Sequence, residues 1–189
     1  QEFDSIAAAE EKGVVHSGVT MNGTAVMSSK LSSLRLPISN RAPVISAYLT
    51  RVTIIPGEST DGDTLRLAIT DDKANIIVAV DVCIKKTTDG VLVQVYETGN
   101  GGRYDLVIGY KTVSYDQDVE IALIWHTDEK IANVEICDVA VAATSITYDV
   151  ESGALTPAYG AVYSITNNAF EIDDMVAESL YKYRTPVKL

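Results

Sequence analysis

Apolar and polar positions alternate along most of this chain with a period of two, which is the spacing of a half-buried β-strand. Apolar runs of strand length follow one another, and turn-forming stretches rich in Gly, Asn and Asp separate them. The runs lie at 44–55, 63–69, 75–84, 91–97, 104–110, 119–125, 131–142, 145–150 and 158–165. Many short strands at intervals of about 8 to 12 residues predict an all-β sandwich or barrel.

The alternation also predicts which side chains face the core. In the run NIIVAVDVCIKK, every second residue from Ile76 to Ile84 is apolar, and Cys83 falls on the other, wetter face. In DVEIALIWH, Trp125 belongs to the apolar set and His126 to the mixed set. We therefore expect Trp125 to be a core residue and His126 to point away from the core.

The length of 189 residues suits one domain, and the chain carries no linker-like stretch of Gly, Ser or Pro. We divide it into an N-terminal arm or irregular segment, 1–22, and a single β-sandwich domain, 23–189. The stretch 170–183 fits a helical stripe and a bent strand about equally well, so periodicity leaves both open.

Three stretches of the chain resemble known strands. DVEIALIWHTDEKIANVEICDVAVA resembles the paired strands of laminin-G-like and concanavalin-A-like jelly rolls, and DTLRLAITDDKANIIVAVDV resembles an earlier hairpin of the same domains. IDDMVAESLYKYRTP is similar to their closing strand, as found in surface adhesins and phage structural proteins. The resemblance covers about 33–186 and implies an antiparallel β-sandwich of the jelly-roll, concanavalin-A-like type.

The resemblance also implies a range of functions. We expect a non-catalytic surface or virion-type structural or adhesion module, with a glycan or a protein surface as its partner. One alternative is a self-assembling extracellular protein whose N-terminal arm adds a strand to a neighbouring copy. Another is a secreted glycan-active enzyme. The fold does not choose among these, so the site must.

The charge balance excludes some partners. The formal charge is -11, with 26 acidic residues against 15 basic ones, and this argues against nucleic acid and against acidic membrane surfaces. No apolar run approaches the ~20 residues that cross a bilayer, so we expect no membrane insertion. Because the chain begins with Gln, we expect a processed protein at an extracellular or surface location, on a virion or a cell.

Candidate catalytic groups are few, and we expect no catalytic residues. Cleavage of a glycan needs two carboxylates about 5 to 10 Å apart. The nearest set is Asp116, Asp118 and Glu120, of which the first two are typical of a turn that enters a strand. His126 has no evident nucleophile or carboxylate partner, and geometry comes before pKa in assigning a base.

Metal ligands are equally sparse, and we expect no cofactor. The loops STDGDT (59–64) and TDDK (70–73) offer carboxylates of the kind that bind calcium, but the EF-hand spacing is absent. Solvated turns are the favoured interpretation, with loop calcium as the alternative.

Tyrosines supply the remaining candidate surface, because sugars stack on aromatic rings while amides and carboxylates orient their hydroxyls. The ligand-binding residues that we predict are Asn100, Arg103, Tyr104, Asp105 and Tyr159. Tyr110 and Tyr163 lie in the same two stretches. The alternative is that these tyrosines only pair across a sheet, since tyrosine favours strands.

The two cysteines, Cys83 and Cys137, both fall on the mixed faces of their runs. If these runs are adjacent strands of one sheet in a register that places the two residues directly opposite each other, a bridge forms and indicates an oxidising compartment. Two free thiols on separate strands are the other interpretation.

Overall fold

The computed structural model describes residues 3–40, 45–56, 61–97, 106–144, 155–166 and 170–181, the side chains at 61, 62, 97 and 144 excepted. The elements within these residues are α1 Ile6–Glu11, β1 Val15–Ser17, β2 Val19–Asn22, β3 Thr24–Met27, β4 Ser33–Pro37, β5 Ser39–Asn40, β6 Ala47–Ile55, β7 Asp61–Thr70, β8 Ile76–Thr87, β9 Gly90–Glu97, β10 Val107–Val113, β11 Val119–His126, β12 Ile131–Ile136, β13 Val139–Thr144, β14 Tyr159–Ser164 and β15 Phe170–Leu180. No helix among them is long and apolar enough to cross a membrane.

The strands form two sheets. The seven-stranded sheet has the order β1-β4-β14-β7-β8-β9-β10. The eight-stranded sheet has the order β13-β12-β11-β6-β15-β3-β2, with β5 beside β15. The ladders between the described strands are antiparallel apart from the short β5–β15 pairing. The predicted antiparallel β-sandwich is therefore confirmed.

The core lies between the two sheets because alternate residues of each long strand are apolar. The seven-stranded sheet contributes rows of β-branched side chains that are fully buried, among them Val80, Val82, Ile84, Val91, Val93 and Val95. Ile121 and Leu123 of β11 belong to the same core from the eight-stranded sheet. The side chains between these positions must point to the outer face of their own sheet.

The backbone of β14 approaches the opposite sheet closely where it crosses β6 and β15. A Cβ atom on Gly160 would lie 2.7 Å from Thr50 Oγ1 and 2.8 Å from Ala177 Cβ, so only glycine fits. The Thr50 hydroxyl donates a hydrogen bond of 3.3 Å to the Ala68 carbonyl oxygen on the opposite sheet. This contact places Gly160 inward and its neighbours on β14 outward.

The N-terminal residues pack on the core. Ser5 caps α1, with its hydroxyl 3.2 Å from the Ala8 N–H, and Phe3 and Val14 are buried in the main cluster. β1 is then an edge strand of the seven-stranded sheet and β2 an edge strand of the eight-stranded sheet. The described part of the segment 1–22 therefore contains regular structure, joined to both sheets.

A β-bulge changes the predicted orientation at the start of β8. The register pairs Ile69 with Val78 but Thr70 with Ile76, so one extra residue lies between. Ile77 thereby turns into the main core, at 8% exposure, and Ile76 joins the outer-face alanines. The predicted inward set is correct from Val78 onward and wrong at Ile76.

Trp125 and His126 point in the predicted directions, but the degree of burial of each differs from what we expected. Trp125 packs against the main core as expected, but it is only half-buried at the end of β11, where it stacks on Tyr48 with the ring centroids 6.1 Å apart. His126 points to the outer face, yet it is 4% exposed. That face is not wet, because Leu49 and Ile124 form an apolar cluster there.

The run 131–142 is two strands joined by a tight turn. Cys137 and Asp138 have φ of 46° and 60°, the left-handed conformation that a two-residue hairpin turn requires. This turn follows β12 of the eight-stranded sheet, whereas Cys83 lies on β8 of the seven-stranded sheet, and neither cysteine is in a disulfide. Of the two interpretations, the structure supports two free thiols on separate strands, because packed sheets lie about 10 Å apart and a disulfide needs Cα atoms within about 6.8 Å.

The ambiguous stretch 170–183 is a strand through Leu180. β15 pairs with β6 over most of its length, and a bulge between Ile172 and Asp174 resets its alternation. The bulge explains the ambiguity, because the extra residue breaks the period of two and imitates a helical spacing.

We predict that Trp125→Ala lowers the free energy of unfolding by about 2 to 3 kcal/mol, less than the ~3 to 5 kcal/mol typical of a fully buried aromatic side chain. Chemical denaturation measures the change. Tyr115→Ala is the matched control, because Tyr115 is 53% exposed and its loss should change stability by under about 0.5 kcal/mol. Equal effects of the two substitutions would show that Trp125 does not support the core.

Candidate functional site

The predicted ligand-binding residues divide into two groups. Asn100, Arg103, Tyr104 and Asp105 lie outside the described residues, so their part in a site stays a prediction. Tyr159 is the first residue of β14, in the middle of the seven-stranded sheet. Its side chain belongs to the outer face, since Gly160 next to it faces the other sheet.

The outer face of the seven-stranded sheet brings together aromatic and charged side chains from sequence-distant strands. We call this the tyrosine face and define it by its outward residues Arg35, Arg66, Asp81, Gln94, Tyr96, Tyr110, Tyr159 and Tyr163. Opposed residues of antiparallel strands point to the same side. Four tyrosines thus share one surface.

One row of the tyrosine face crosses four strands in exact opposition. Tyr163 opposes Arg66, Arg66 opposes Asp81, and Asp81 opposes Tyr96. Arg66 donates two parallel hydrogen bonds to the Asp81 carboxylate, from Nε to Oδ1 at 2.8 Å and from Nη2 to Oδ2 at 3.0 Å. Asp81 is 1% exposed, so this bidentate pair holds a buried charge at the centre of the face.

A row of small residues lies beside this pair. Ala161 opposes Ala68, which opposes Ala79, and the three are buried as one cluster on the outer face. Tyr163 packs against them. Burial raises the pKa of Tyr163, and the charges of Arg35 and Arg66 partly oppose this rise. The Tyr163 ring therefore lies over the alanines, close to both guanidinium groups.

Arg35 connects the tyrosine face to the end of β7. Its guanidinium carbon lies 4.3 Å above the Tyr159 ring centroid, a cation–π contact. Its Nη2 donates to the Asp71 carbonyl oxygen at 2.9 Å and approaches that of Asp72 at 3.4 Å. Its Nε is buried and has no hydrogen-bond partner among the residues that the structure describes. Buried donors are rarely left so, which marks this position for a further group.

A cleft of about 520 Å³ opens where Arg35 reaches the β7–β8 turn. It is lined by Asp71, Asp72, Lys73, Asn75, Leu155, Thr156 and Ala158. Ala158 directly precedes Tyr159, and the Ala158 N–H donates to the Thr70 carbonyl oxygen at 2.9 Å. The cleft and the tyrosine face are thus adjacent, and together they offer carboxylate, ammonium, amide, hydroxyl and aromatic groups.

Asp71 shapes the wall of this cleft. Its Oδ1 accepts from the Lys73 and Asn75 N–H groups at 2.9 and 2.7 Å, and its Oδ2 accepts from Asn75 Nδ2 at 2.7 Å. Burial alone would raise the pKa of Asp71, but these hydrogen bonds and the Lys73 charge outweigh it and lower the pKa. The carboxylate therefore closes a turn, as the favoured interpretation of the loop 70–73 expects.

Metal ligands are not clustered in the part of the chain that the structure describes. No three His, Cys, Asp or Glu side chains come together there. The loop 59–64 lies largely outside the described side chains, so calcium at that loop stays a prediction.

The carboxylates weighed as catalytic candidates lie elsewhere. Asp116 and Asp118 are exposed in the turn before β11, and Glu120 lies on the outer face of the eight-stranded sheet, 3.5 Å from Arg51 Nε. The buried His126 is on that same face. The structure brings none of these groups to the tyrosine face.

Comparisons with known proteins agree with this architecture. A variant of the Emp46p carbohydrate recognition domain matches with a TM-score of 0.54 at 12% identity, over 90% of this chain and 90% of that chain. A legume lectin-like domain from Entamoeba histolytica matches with a TM-score of 0.50 at 11% identity, over 89% of this chain and 90% of that chain. The chain has a concanavalin-A-like jelly-roll fold.

Other comparisons add less to the jelly-roll assignment. A sialidase matches with a TM-score of 0.52 at 10% identity, over 84% of this chain but 16% of that chain. No protein-family model and no curated protein matches the chain. The concanavalin-A-like resemblance is confirmed at the level of the fold, and the laminin-G-like resemblance stays a prediction.

Two parts of the candidate site, Arg35 and the Arg66–Asp81 pair, were not predicted from the sequence. Arg35 carried no signal, because it reaches Tyr159 through a β4–β14 pairing between distant stretches of chain. The Arg66–Asp81 pair had a signal, because each is a charged residue between apolar neighbours in the middle of its strand, and the two charges have opposite signs. A buried charge on a strand requires a partner of opposite charge, so this rule could have predicted that Arg66 and Asp81 form an ion pair.

We predict that Arg66→Met is more damaging than Asp81→Asn. The first leaves the buried Asp81 carboxylate without its main partner and should lower the free energy of unfolding by about 3 kcal/mol or more. The second leaves an Arg66 side chain that is 22% exposed, so water can reach its charge and we expect a smaller loss. Denaturant titration of both variants and of the double variant tests this. A double variant less stable than Arg66→Met would contradict it.

Proposed function

We propose that this protein is a non-catalytic glycan-binding module whose ligand occupies the cleft and the adjoining part of the tyrosine face. The observation that carries the proposal is the juxtaposition of Tyr159 with a cleft lined by polar side chains. A sugar needs an aromatic surface for its C–H face and nearby hydrogen-bonding groups for its hydroxyls. Both are present within one small region.

The cleft is suited to a neutral, hydroxyl-rich ligand. Asp72, Lys73 and Thr156 line it with side chains that accept and donate hydrogen bonds, and Leu155 and Ala158 add apolar surface. Arg35 fixes the orientation of the Tyr159 ring from one side. A prearranged ring loses little conformational entropy when a ligand stacks on it, which favours binding.

The solved structures of similar fold give this proposal a second support. Two of them are described as a carbohydrate recognition domain and a legume lectin-like domain. Their identity to this chain is 11% to 12%, so the likeness extends to the fold and the residues must carry the rest. Such a module would meet its glycan at an extracellular or surface location, on a cell or a virion.

The alternative roles have weaker support. In strand addition by the N-terminal arm, β1 and β2 would first have to leave the edges of the chain's own two sheets. A glycan-cleaving enzyme needs an acid and a base beside the bound sugar. Near the cleft, the described carboxylates are Asp71, which closes its turn, and Asp72, with no second candidate opposite it.

We predict that Tyr159→Ala weakens glycan binding at least about tenfold, which is about 1.4 kcal/mol. A glycan array selects the ligand, and isothermal titration calorimetry measures its dissociation constant. Tyr159→Phe keeps the ring and should retain most of the affinity. Tyr115→Ala is the matched control, an exposed tyrosine in the turn before β11. An unchanged dissociation constant for Tyr159→Ala would remove the site from the cleft.

We further predict no turnover of polysaccharides. Incubation with a broad panel of plant, fungal and bacterial polysaccharides should release no new reducing ends and no unsaturated products. The opposite outcome, cleavage that disappears in Asp118→Asn or His126→Ala, would make the protein an enzyme and place its chemistry away from the cleft.

A further inference from the structure

We propose that the ligand is an extended, neutral oligosaccharide chain that lies across the strands of the seven-stranded sheet, from the cleft beside Tyr159 to the edge strand β10. This inference rests on the proposed function and specifies its ligand. The chain would run over Tyr163 and Tyr96 and end at Tyr110.

The span of the tyrosine face favours a chain over a single sugar. Tyr159 lies on β14 and Tyr110 on β10, which are four strand-to-strand steps apart. Adjacent strands are about 4.8 Å apart, so the two tyrosines are separated by about 19 Å perpendicular to the strands, and the register offsets them by a further six residues along the strands. One sugar ring is far too short to touch both, whereas an oligosaccharide of several units is long enough.

The far end of the face is unusually apolar for a solvated surface. Tyr110 is 69% exposed, and Leu106 and Val107 on the same segment are 61% and 38% exposed. Val107 opposes Tyr96, and Tyr110 opposes Gln94, so the exposed side chains continue the rows of the tyrosine face. Neighbouring exposed apolar side chains mark binding surfaces more often than isolated ones do.

The middle of the face combines rings with hydrogen-bonding groups. Between Tyr163 and Tyr96 lies the Arg66–Asp81 pair, and the Tyr96 hydroxyl donates to Gln94 Oε1 at 3.4 Å. At the cleft end, the buried Nε of Arg35 has no acceptor within the described part of the chain. A ligand hydroxyl that enters between Tyr159 and Tyr163 would supply an acceptor for this N–H group. Alternating rings and polar groups suit a polyhydroxylated chain better than a continuous apolar peptide.

The charges favour a neutral ligand. Across the cleft and the tyrosine face, three cations, Arg35, Arg66 and Lys73, stand against three anions, Asp71, Asp72 and Asp81. The formal charge of the whole chain is -11, which repels polyanions at a distance. Sulfated and uronic-acid polysaccharides are therefore disfavoured.

Cys83 provides a built-in reporter for the middle of the face. It opposes Gln94 on the outer side of β8, and Tyr96 lies close, since burial and then the Cys83 charge raise the pKa of Tyr96. Cys137 is the chain's other thiol, in a turn of the other sheet. In a Cys137→Ser protein, the rate of alkylation by iodoacetamide reports on Cys83 alone.

The test uses the cello-, manno- and chito-oligosaccharide series in the Cys137→Ser background. Calorimetry compares the disaccharide and the hexasaccharide of whichever series binds. We expect the hexasaccharide to bind at least about tenfold more tightly and to slow alkylation of Cys83 severalfold, with little slowing by the disaccharide. Tyr110→Ala should bring the hexasaccharide affinity close to that of the disaccharide, and Tyr115→Ala should leave both affinities unchanged.

The outcomes separate the two proposals. Equal affinities for the disaccharide and the hexasaccharide would overturn the extended chain and leave the glycan-binding function standing. Heparin bound more tightly than any neutral hexasaccharide would overturn the neutral assignment. Binding of no glycan at all, on the array or in calorimetry, would overturn the proposed function and this inference with it.

Discussion

The contact of Gly160 with Thr50 and Ala177 sets how closely β14 meets the opposite sheet. At this point the backbone of β14 lies against side chains of β6 and β15, with no room for a Cβ atom. Because the two sheets are so close here, the Thr50 hydroxyl donates a hydrogen bond to the Ala68 carbonyl oxygen of the opposite sheet. Because strand side chains alternate, an inward Gly160 directs Tyr159 and Ala161 outward. One packing constraint therefore sets both the approach of β14 to the opposite sheet and the side chains that β14 presents on the outer surface.

The outward orientation of Ala161 also explains why small side chains lie next to large ones on the outer surface. Ala161, Ala68 and Ala79 form a floor of small side chains in the middle of the sheet. Tyr163 packs against these alanines, and the charges of Arg35 and Arg66 act on its hydroxyl. The contact of Arg35 with Tyr159 and the Arg66–Asp81 pair restrain the side chains at this end of the face, which limits the entropy lost when a ligand binds.

Much of the fold was predictable because most long strands keep a strict alternation. The rows that contain Val80, Val82 and Ile121 are inward in the structure as the pattern requires. The errors occur where something local breaks the period. A bulge reversed Ile76, and another in β15 imitated a helix. His126 was misjudged for a different reason, since burial on an outer face depends on tertiary neighbours that periodicity does not contain.

The candidate site was predictable only in part. Tyr159 followed from its aromatic character beside turn residues, but Arg35 and the cleft depend on pairings between β4, β14 and β7, whose order in the sheet no local pattern encodes. The Cys137–Asp138 turn shows the same limit, because it lacks the glycine that usually announces such a turn. Local sequence patterns predict individual strands, whereas the site depends on how strands distant in sequence pair with one another.

The strand order has a further consequence for how this chain reaches its native state. β14 lies between β4 and β7, and β15 lies between β3 and β6, so the last described strands in sequence fill the middle of both sheets. Until residue 180 has left the ribosome, β6 and β7 present unpaired hydrogen-bonding edges, and the core between the sheets stays open. Such long-range pairing slows folding and exposes strand edges to aggregation in the meantime. A protein built from consecutive hairpins closes its strand edges earlier, so it exposes them to neighbouring molecules for a shorter time.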